Sequence, residues 1–319
     1  MGQYFNKMVT DKIKTAWLFP GQASQVVGMG KDLFRNTDIG KKYYNVANEI
    51  LNFDIKSISF DGPDSELKKT KYTQPAIYIV STIIGKILLD NGHKIDGVAG
   101  HSLGEYSALT VANAFNFEIG LNLVKIRSES MHKAGKIRSG KMAAIIGIPS
   151  NDIEDICLKY SQGEDLAVAA NYNTKNQIVI SGSGQIIDKI VKNAKSLGAK
   201  LAIPLNVSGA FHSPLMSSAR QALANELNSI DILDINIPLY TNVDAKPITK
   251  SEDIKNSLLC QLENPVQWFR LINNMITDNF TNFSEIGPGK VLQNLNRKIV
   301  PSIAINGVQS YDDIKNYGI

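Results

Sequence analysis

The feature that most narrows the possible folds is a short strand predicted over residues 96–99. It passes without a break into Gly100-His101-Ser102-Leu103-Gly104 and then into a helix-forming stretch over 105–114. Strand, tight turn and helix in direct succession is a unit of α/β proteins, in which helices cover a parallel sheet. The flanking sequence repeats the alternation. Residues 15–19 predict a strand ending at Pro20-Gly21, and helical spacing follows over 31–53, 73–89 and 117–134.

The middle of the chain changes character. The pattern predicts a strand over 141–148, a helix over 151–160, strands over 166–170 and 177–181, a helix over 185–197 and a last strand over 200–207. That order, βαββαβ, is the split ferredoxin-like motif. Beyond it the earlier pattern resumes, with a helix over 217–227, a strand over 237–240 and a helix over 266–276. The expected organisation is therefore a large α/β unit, residues 1–138 and 206–319, into which a small unit, 139–205, is inserted. A chain of 319 residues with 43% hydrophobic and 20% charged side chains can bury cores of this size, which excludes wholesale disorder.

Charge and cysteine content remove several function classes. Thirty-four basic against 30 acidic residues leave a net +4 with no basic block, so no nucleic-acid partner is expected, although the mild field suits an acidic partner or an anionic substrate. Cys157 and Cys260 form neither a disulfide scaffold nor a metal-ligand cluster, and no metal is expected. The first 15 residues lack the apolar core of a signal peptide, and Asn6 stands where a myristoylation signal after Gly2 needs Ser or Thr. The longest apolar stretch, 76–89, contains Lys86 and falls short of the roughly 20 residues of a membrane span. A soluble, cytoplasmic protein with no membrane association is expected.

Gly-x-Ser-x-Gly between a strand and a helix describes a nucleophile elbow, which exposes the serine hydroxyl at a sharp bend. Ser102 is the candidate nucleophile, the glycines being expected to permit the bend. A serine hydroxyl needs a base within hydrogen-bond reach. Of four histidines, His101 is expected to project away from its neighbour, His93 lies in a polar turn, and His132 sits in the last turn of a helix. His212, in Gly209-Ala210-Phe211-His212-Ser213-Pro214 just after the insertion, is the candidate base. No acid between them is compelling: Asp165 and Asp188 fall inside the insertion, while Asp244 and Glu285 follow the histidine. The pattern hints at a dyad whose imidazole is oriented by something other than a carboxylate.

Acyl chemistry also needs an oxyanion hole. The N–H of Leu103 supplies one donor, and the loop Pro20-Gly21-Gln22-Ala23-Ser24-Gln25 is the expected source of the second. Arg127 lies between Val124 and Met131 on one helical stripe. From spacing alone it reads first as a snorkelling surface residue, and second as a buried receptor for a carboxylate. Gly287-Pro288-Gly289-Lys290 lacks the P-loop spacing and reads as a structural turn.

Taken together, these residues resemble the malonyl-CoA:acyl carrier protein transacylases. The resemblance runs from Phe19-Pro20-Gly21-Gln22 to Gly287-Pro288-Gly289-Lys290-Val291-Leu292. It includes Gly100–Glu105, Arg127, Ser208-Gly209-Ala210-Phe211-His212-Ser213-Pro214, Thr241-Asn242-Val243, and Gln261 ahead of Asn264-Pro265-Val266. It implies an α/β-hydrolase-like domain with a ferredoxin-like insertion, and an acyltransferase that moves malonyl from malonyl-CoA to the phosphopantetheine thiol of acyl carrier protein through a malonyl-serine ester. Such a reaction serves fatty acid or polyketide synthesis and needs no cofactor of the enzyme's own.

The resemblance further implies that His212 is oriented by the backbone carbonyl of Gln261, and that the amides of Gln22 and Leu103 form the oxyanion hole. Arg127 would bind the malonyl carboxylate, with Met131 on the same stripe, and Asn171 and Asn173 would contact the pantetheine arm. Leu103 and Phe211 fit the malonyl-selective pattern, because a phenylalanine leaves little room for an α-methyl. Members of the family are commonly monomers. One departure stands out: the family usually has glycine at the position of Ala23, and a positive φ there would cost alanine about 1 kcal/mol. The competing expectation is a serine thioesterase on the same scaffold that edits acyl carrier proteins.

Overall fold

The structure, a computed structural model, describes residues 14–207 and 209–318. The readings made for the first 13 residues, and Ser208 of the histidine motif, lie outside them. In chain order the elements are β1 (Lys14–Phe19), α1 (Lys31–Asn36), α2 (Asp38–Leu51), α3 (Ile55–Asp61), α4 (Asp64–Leu67), α5 (Thr70–Asp90), β2 (Gly97–Gly100), α6 (Gly104–Val111) and α7 (Phe117–Ile137). Next come β3 (Gly140–Ile146), α8 (Ser150–Tyr160), β4 (Ala167–Thr174), β5 (Gln177–Ser183), α9 (Gly184–Asn193) and β6 (Leu201–Pro204). The chain closes with α10 (Ser217–Ser229), β7 (Leu239–Tyr240), β8 (Pro247–Ile248), α11 (Ser251–Gln261), α12 (Trp268–Thr277), β9 (Phe280–Ile286), α13 (Val291–Ile299), β10 (Ala304–Val308) and α14 (Tyr311–Lys315).

The strands form two sheets. The first has the order β10-β9-β1-β2-β7-β8, parallel except for the β7–β8 pair. Its central strands are apolar on both faces, as burial between two helical layers requires: Ala16, Trp17, Leu18 and Phe19 of β1 are all fully buried. The second sheet is antiparallel, with the order β4-β5-β3-β6, and carries α8 and α9 over its own apolar cluster of Ile145, Ile153, Ile180 and Ile187. Its elements follow the expected βαββαβ sequence.

Several details differ from expectation. The helical spacing over 31–53 is two helices, because Thr37 is extended (φ −135°, ψ 143°) and its hydroxyl accepts from the Gly40 N–H to cap α2. α12 begins at Trp268 rather than at 266, since Val266 is drawn into backbone pairing with β4: its N–H donates to Ala170 O at 2.9 Å, and its carbonyl accepts from Tyr172 N at 2.9 Å. That pairing ties the antiparallel sheet to the loop after α11. The last strand of the insertion, β6, covers only Leu201–Pro204. The apolar stretch at 76–89 belongs to a 21-residue helix, α5, long and apolar enough to cross a bilayer but largely buried in the protein core.

β1 has β2 on one side and β9 on the other, so the chain reverses its direction of travel across the sheet at β1. At such a point the loops leaving the strand ends diverge and open a crevice. The loops after β1, β2 and β9 all emerge there.

Candidate active site

Phe19 and Gly100 are paired neighbours at the ends of β1 and β2, and the His101 N–H donates to Phe19 O at 2.9 Å. The chain then turns at Ser102, whose φ of 51° is left-handed, and enters α6. The positive φ therefore rests on the serine and not on the glycines, contrary to the expectation from sequence. The glycines are needed for close approach instead. A Cβ on Gly100 would stand 1.9 Å from the Gly104 carbonyl carbon, and one on Gly104 would stand 2.0 Å from Phe19 O. A strained non-glycine φ held at a sharp bend is characteristic of a functional position.

Ser102 Oγ lies 2.8 Å from His212 Nε2. His212 Nδ1 faces two backbone carbonyls, Gln261 O at 2.8 Å and Asn264 O at 3.2 Å. Two acceptors at Nδ1 place the ring proton there and leave Nε2 free to accept from the serine hydroxyl. Burial, reinforced by the positive charge of Arg127, pushes the His212 pKa down to about 3, so the imidazole is neutral and base-competent at physiological pH.

Arg127 overturns the snorkelling reading. It lies on the buried face of α7, fully inaccessible. Its Nη2 donates to Ser102 Oγ at 3.0 Å and to Gln261 Oε1 at 2.9 Å, and its Nη1 donates to Gln74 Oε1 at 2.6 Å. The guanidinium also lies 5.5 Å from the centre of the Tyr106 ring. Burial lowers its pKa, while Tyr106 and Glu105 act in the opposite direction. Arginine remains charged in proteins, so a buried cation stands beside the nucleophile.

Three further residues complete the surroundings, and none was given a role from sequence. Asn242 accepts from Ser102 N at 2.7 Å and donates from Nδ2 to Gly100 O at 2.6 Å, bracing the bend from both sides. Glu105, fully buried, accepts from Asn242 N and from Gln261 Nε2, each at 2.5 Å. Burial pushes its carboxyl up to about 8 against the pull of those donors and of Arg127. Gln74 is the third, a polar residue inside the apolar α5; its position within an otherwise oily run was the available signal.

The remaining expected residues are placed as follows. Gln22 lines the cavity, and its loop packs directly on the bend, since a Cβ on Gly21 would meet His101 O at 2.4 Å. Among the described residues, neither the Gln22 nor the Leu103 N–H donates to a turn or loop carbonyl. Ala23 does adopt the left-handed region, at φ 79°, with its N–H donating to Gln25 Oε1 at 2.8 Å. Asn171 and Asn173 project from β4 into the cavity, and Phe211 forms part of its wall. His101 lines the same cavity and pairs through Nε2 with Asn173 Oδ1 at 2.9 Å, so it turns from Ser102 toward the second sheet. Met131 is buried behind Gln74, its sulfur 3.5 Å from Gln74 Nε2, and is not part of the cavity wall.

Of the weaker acid candidates, Glu285 caps α13 by accepting from Leu292 N and Gln293 N at 3.0 and 3.1 Å, and Asp188 pairs with Lys141 at the surface. The Gly287–Gly289 turn is thus a helix entry whose N–H groups are already occupied by a carboxylate.

The cavity has a volume of about 460 Å³ and lies between the two sheets, with Ser102 and His212 in its wall. A neutral imidazole accepting from a serine hydroxyl on a strained bend, at the carboxyl ends of a parallel sheet, defines a serine acyl-transfer centre. Comparison with known proteins agrees. The acyl transferase domain family matches residues 16–316, and the chain belongs to that family. It is 41% identical to the malonyl CoA-acyl carrier protein transacylase of Bacillus subtilis (strain 168) over 286 residues, 90% of each chain. Among solved structures it resembles the malonyl CoA-acyl carrier protein transacylase of Coxiella burnetii with a TM-score of 0.91 and 33% identity, covering 95% of this chain and 96% of that one. It also resembles a malonyl-transacylase solved with a type II polyketide acyl-carrier protein, with a TM-score of 0.90 and 34% identity over 95% and 98% of the two chains.

Proposed function

We infer that the protein transfers a malonyl group from malonyl-CoA to the phosphopantetheine thiol of an acyl carrier protein. The observation that carries this reading is the fully buried guanidinium of Arg127, 3.0 Å from the nucleophilic oxygen. A buried cation at that distance has a use in an acyl site when the acyl group ends in a carboxylate. Malonyl has its carboxylate two bonds from the reacting carbon, within reach of a fork placed beside Ser102.

The geometry supports two half-reactions. His212 Nε2 takes the proton from Ser102 Oγ as the oxygen attacks the thioester carbonyl, and the negative charge moves to the carbonyl oxygen. The N–H groups of Gln22 and Leu103 are the donors for that oxyanion. Collapse breaks the C–S bond, and the imidazolium returns its proton to the departing thiolate of CoA, leaving a malonyl-serine ester. The carrier's thiol then gives its proton to His212 as its sulfur attacks the ester. The C–O bond breaks, and the proton passes to Ser102 Oγ. The Gln261 and Asn264 carbonyls stabilise the transient imidazolium in place of a carboxylate.

Asn171 and Asn173 contact the pantetheine arm and Phe211 limits the room for an α-methyl, a reading supported by the presence of all three in the cavity wall. The protein acts as a monomer in the cytoplasm; the compartment is supported by its two free thiols, Cys157 and Cys260, which suit a reducing environment. No observation favours the thioesterase alternative. Intact-protein mass analysis after mixing with malonyl-CoA tests the reading. A malonyl ester on the wild-type chain, absent from Ser102→Ala and discharged by holo carrier protein, is expected. Release of free malonate at the same rate with or without carrier would overturn it.

A further inference from the structure

Gln261 joins every component of the site. Its backbone oxygen holds the His212 ring, its Oε1 accepts from Arg127, and its Nε2 donates to Ser102 O at 2.9 Å and to Glu105 Oε2 at 2.5 Å. A primary amide can be turned by half a rotation, exchanging its oxygen and nitrogen, and only its neighbours decide between the two settings. Here the Oε1 side meets a donor-only guanidinium, and the Nε2 side meets a carbonyl and a carboxyl. The opposite setting would set the amide NH₂ against Arg127 and its oxygen against two acceptors.

Glu105 contributes more than one of those acceptors. Its other oxygen receives the N–H of Asn242, whose side chain braces both Ser102 N and Gly100 O. One inaccessible carboxyl thus links the loop after β7, the end of α11 and the first turn of α6. It touches neither Ser102 Oγ nor the cavity.

We propose that Glu105 is a positioning residue for acyl-group choice: by fixing the Gln261 amide it aims the Arg127 fork at the place where a substrate carboxylate must lie. The inference rests on the transacylase reading above. Glutamine at this position has the same shape but only one acceptor oxygen. One of the two N–H donors then faces an NH₂ group, and the Gln261 amide loses its lock. The consequence is specific to a substrate with a carboxylate, since acetyl transfer uses Ser102, His212 and the oxyanion donors but makes no demand on the fork.

The test measures the rate of Ser102 acylation from malonyl-CoA and from acetyl-CoA in wild type, E105Q, E105D, Q261A and E105Q/Q261A. Losing one buried hydrogen bond of this kind corresponds to about a ten-fold fall in the malonyl-to-acetyl ratio for E105Q. Acetyl acylation, measured beside it, reports whatever loss is common to both substrates, since Glu105 also holds Asn242 and through it the Ser102 bend. E105D retains a carboxyl without an NH₂ group and should recover part of the ratio, while adding E105Q to Q261A should lower it no further. Equal loss with both acyl groups, an unchanged ratio, no recovery with E105D, or additive effects in the double variant would each overturn the proposal. A wild-type chain that forms no malonyl ester at all would instead refute the transacylase reading.

Discussion

Replacing Arg127 with alanine separates binding of the acyl carboxylate from the chemistry at Ser102. A charge-assisted hydrogen bond contributes roughly 1.5–3 kcal/mol. At about 1.4 kcal/mol per decade, the malonyl-to-acetyl acylation ratio should fall about 10- to 150-fold. The ratio is the right quantity because the substitution has costs common to both substrates. Gln74 Oε1 and Gln261 Oε1 lose their donor, and a cavity opens beneath the nucleophile. There is a second, independent signature. Arg127 is, after burial itself, the largest influence holding the His212 pKa down, so its removal lets that pKa rise, and the acid limb of acetyl transfer in the variant moves to higher pH. The assay is quenched-flow acylation followed by mass analysis, run from pH 5 to 8 with each acyl-CoA. Equal losses for malonyl and acetyl would show that Arg127 is a packing residue and would refute the reasoning.

Further substitutions and conditions probe the imidazole and the loop after β1. His212→Ala should slow acylation by about 10²- to 10⁴-fold without displacing Ser102, checked by single-turnover rates. Because the folded His212 pKa lies near 3, below the ordinary 6.5, wild-type acylation should show no inflection near pH 6.5. The unfolded chain binds the additional proton between those values, so the contribution of this group to stability is present above pH 6.5 and is lost as pH falls toward 3. Denaturant titrations across that range should show the loss in wild type and less of it in His212→Asn. Ala23→Gly relieves a left-handed alanine at the cost of added freedom in the unfolded chain, for a net gain of about 0.5 kcal/mol, read as a raised urea midpoint with unchanged slope.

The parts of the molecule that could be read from sequence are those whose signal is local. β1, β2 and the motif that follows β2 announce themselves through short apolar segments and a glycine pattern, and the insertion through its alternation. β9 was not recognised although it pairs with β1 at the centre of the sheet. Its sequence, FTNFSEI, places Thr281 and Asn282 in exposed positions and buries a charged residue, Glu285, whose partners are the helix N–H groups that follow. Neither alternation nor an apolar run survives that arrangement. Arg127 illustrates the same limit in the site. Its spacing on α7 is visible, but whether that stripe faces solvent or the protein interior depends on α5 and on the end of α11. Glu105 looked like a good helix former after the bend, and its burial is a property of Asn242 and Gln261, more than 130 residues away.

The backbone pairing of Val266 with β4 has a further bearing on how the site is held together. Val266 follows Asn264, whose carbonyl faces the His212 ring, by two residues, while the same β4 segment carries Asn171 and Asn173. One short run of backbone pairing thus joins a wall of the cavity to the peptide groups that orient the imidazole. A substitution that breaks this pairing would therefore loosen the cavity wall and the imidazole's support together.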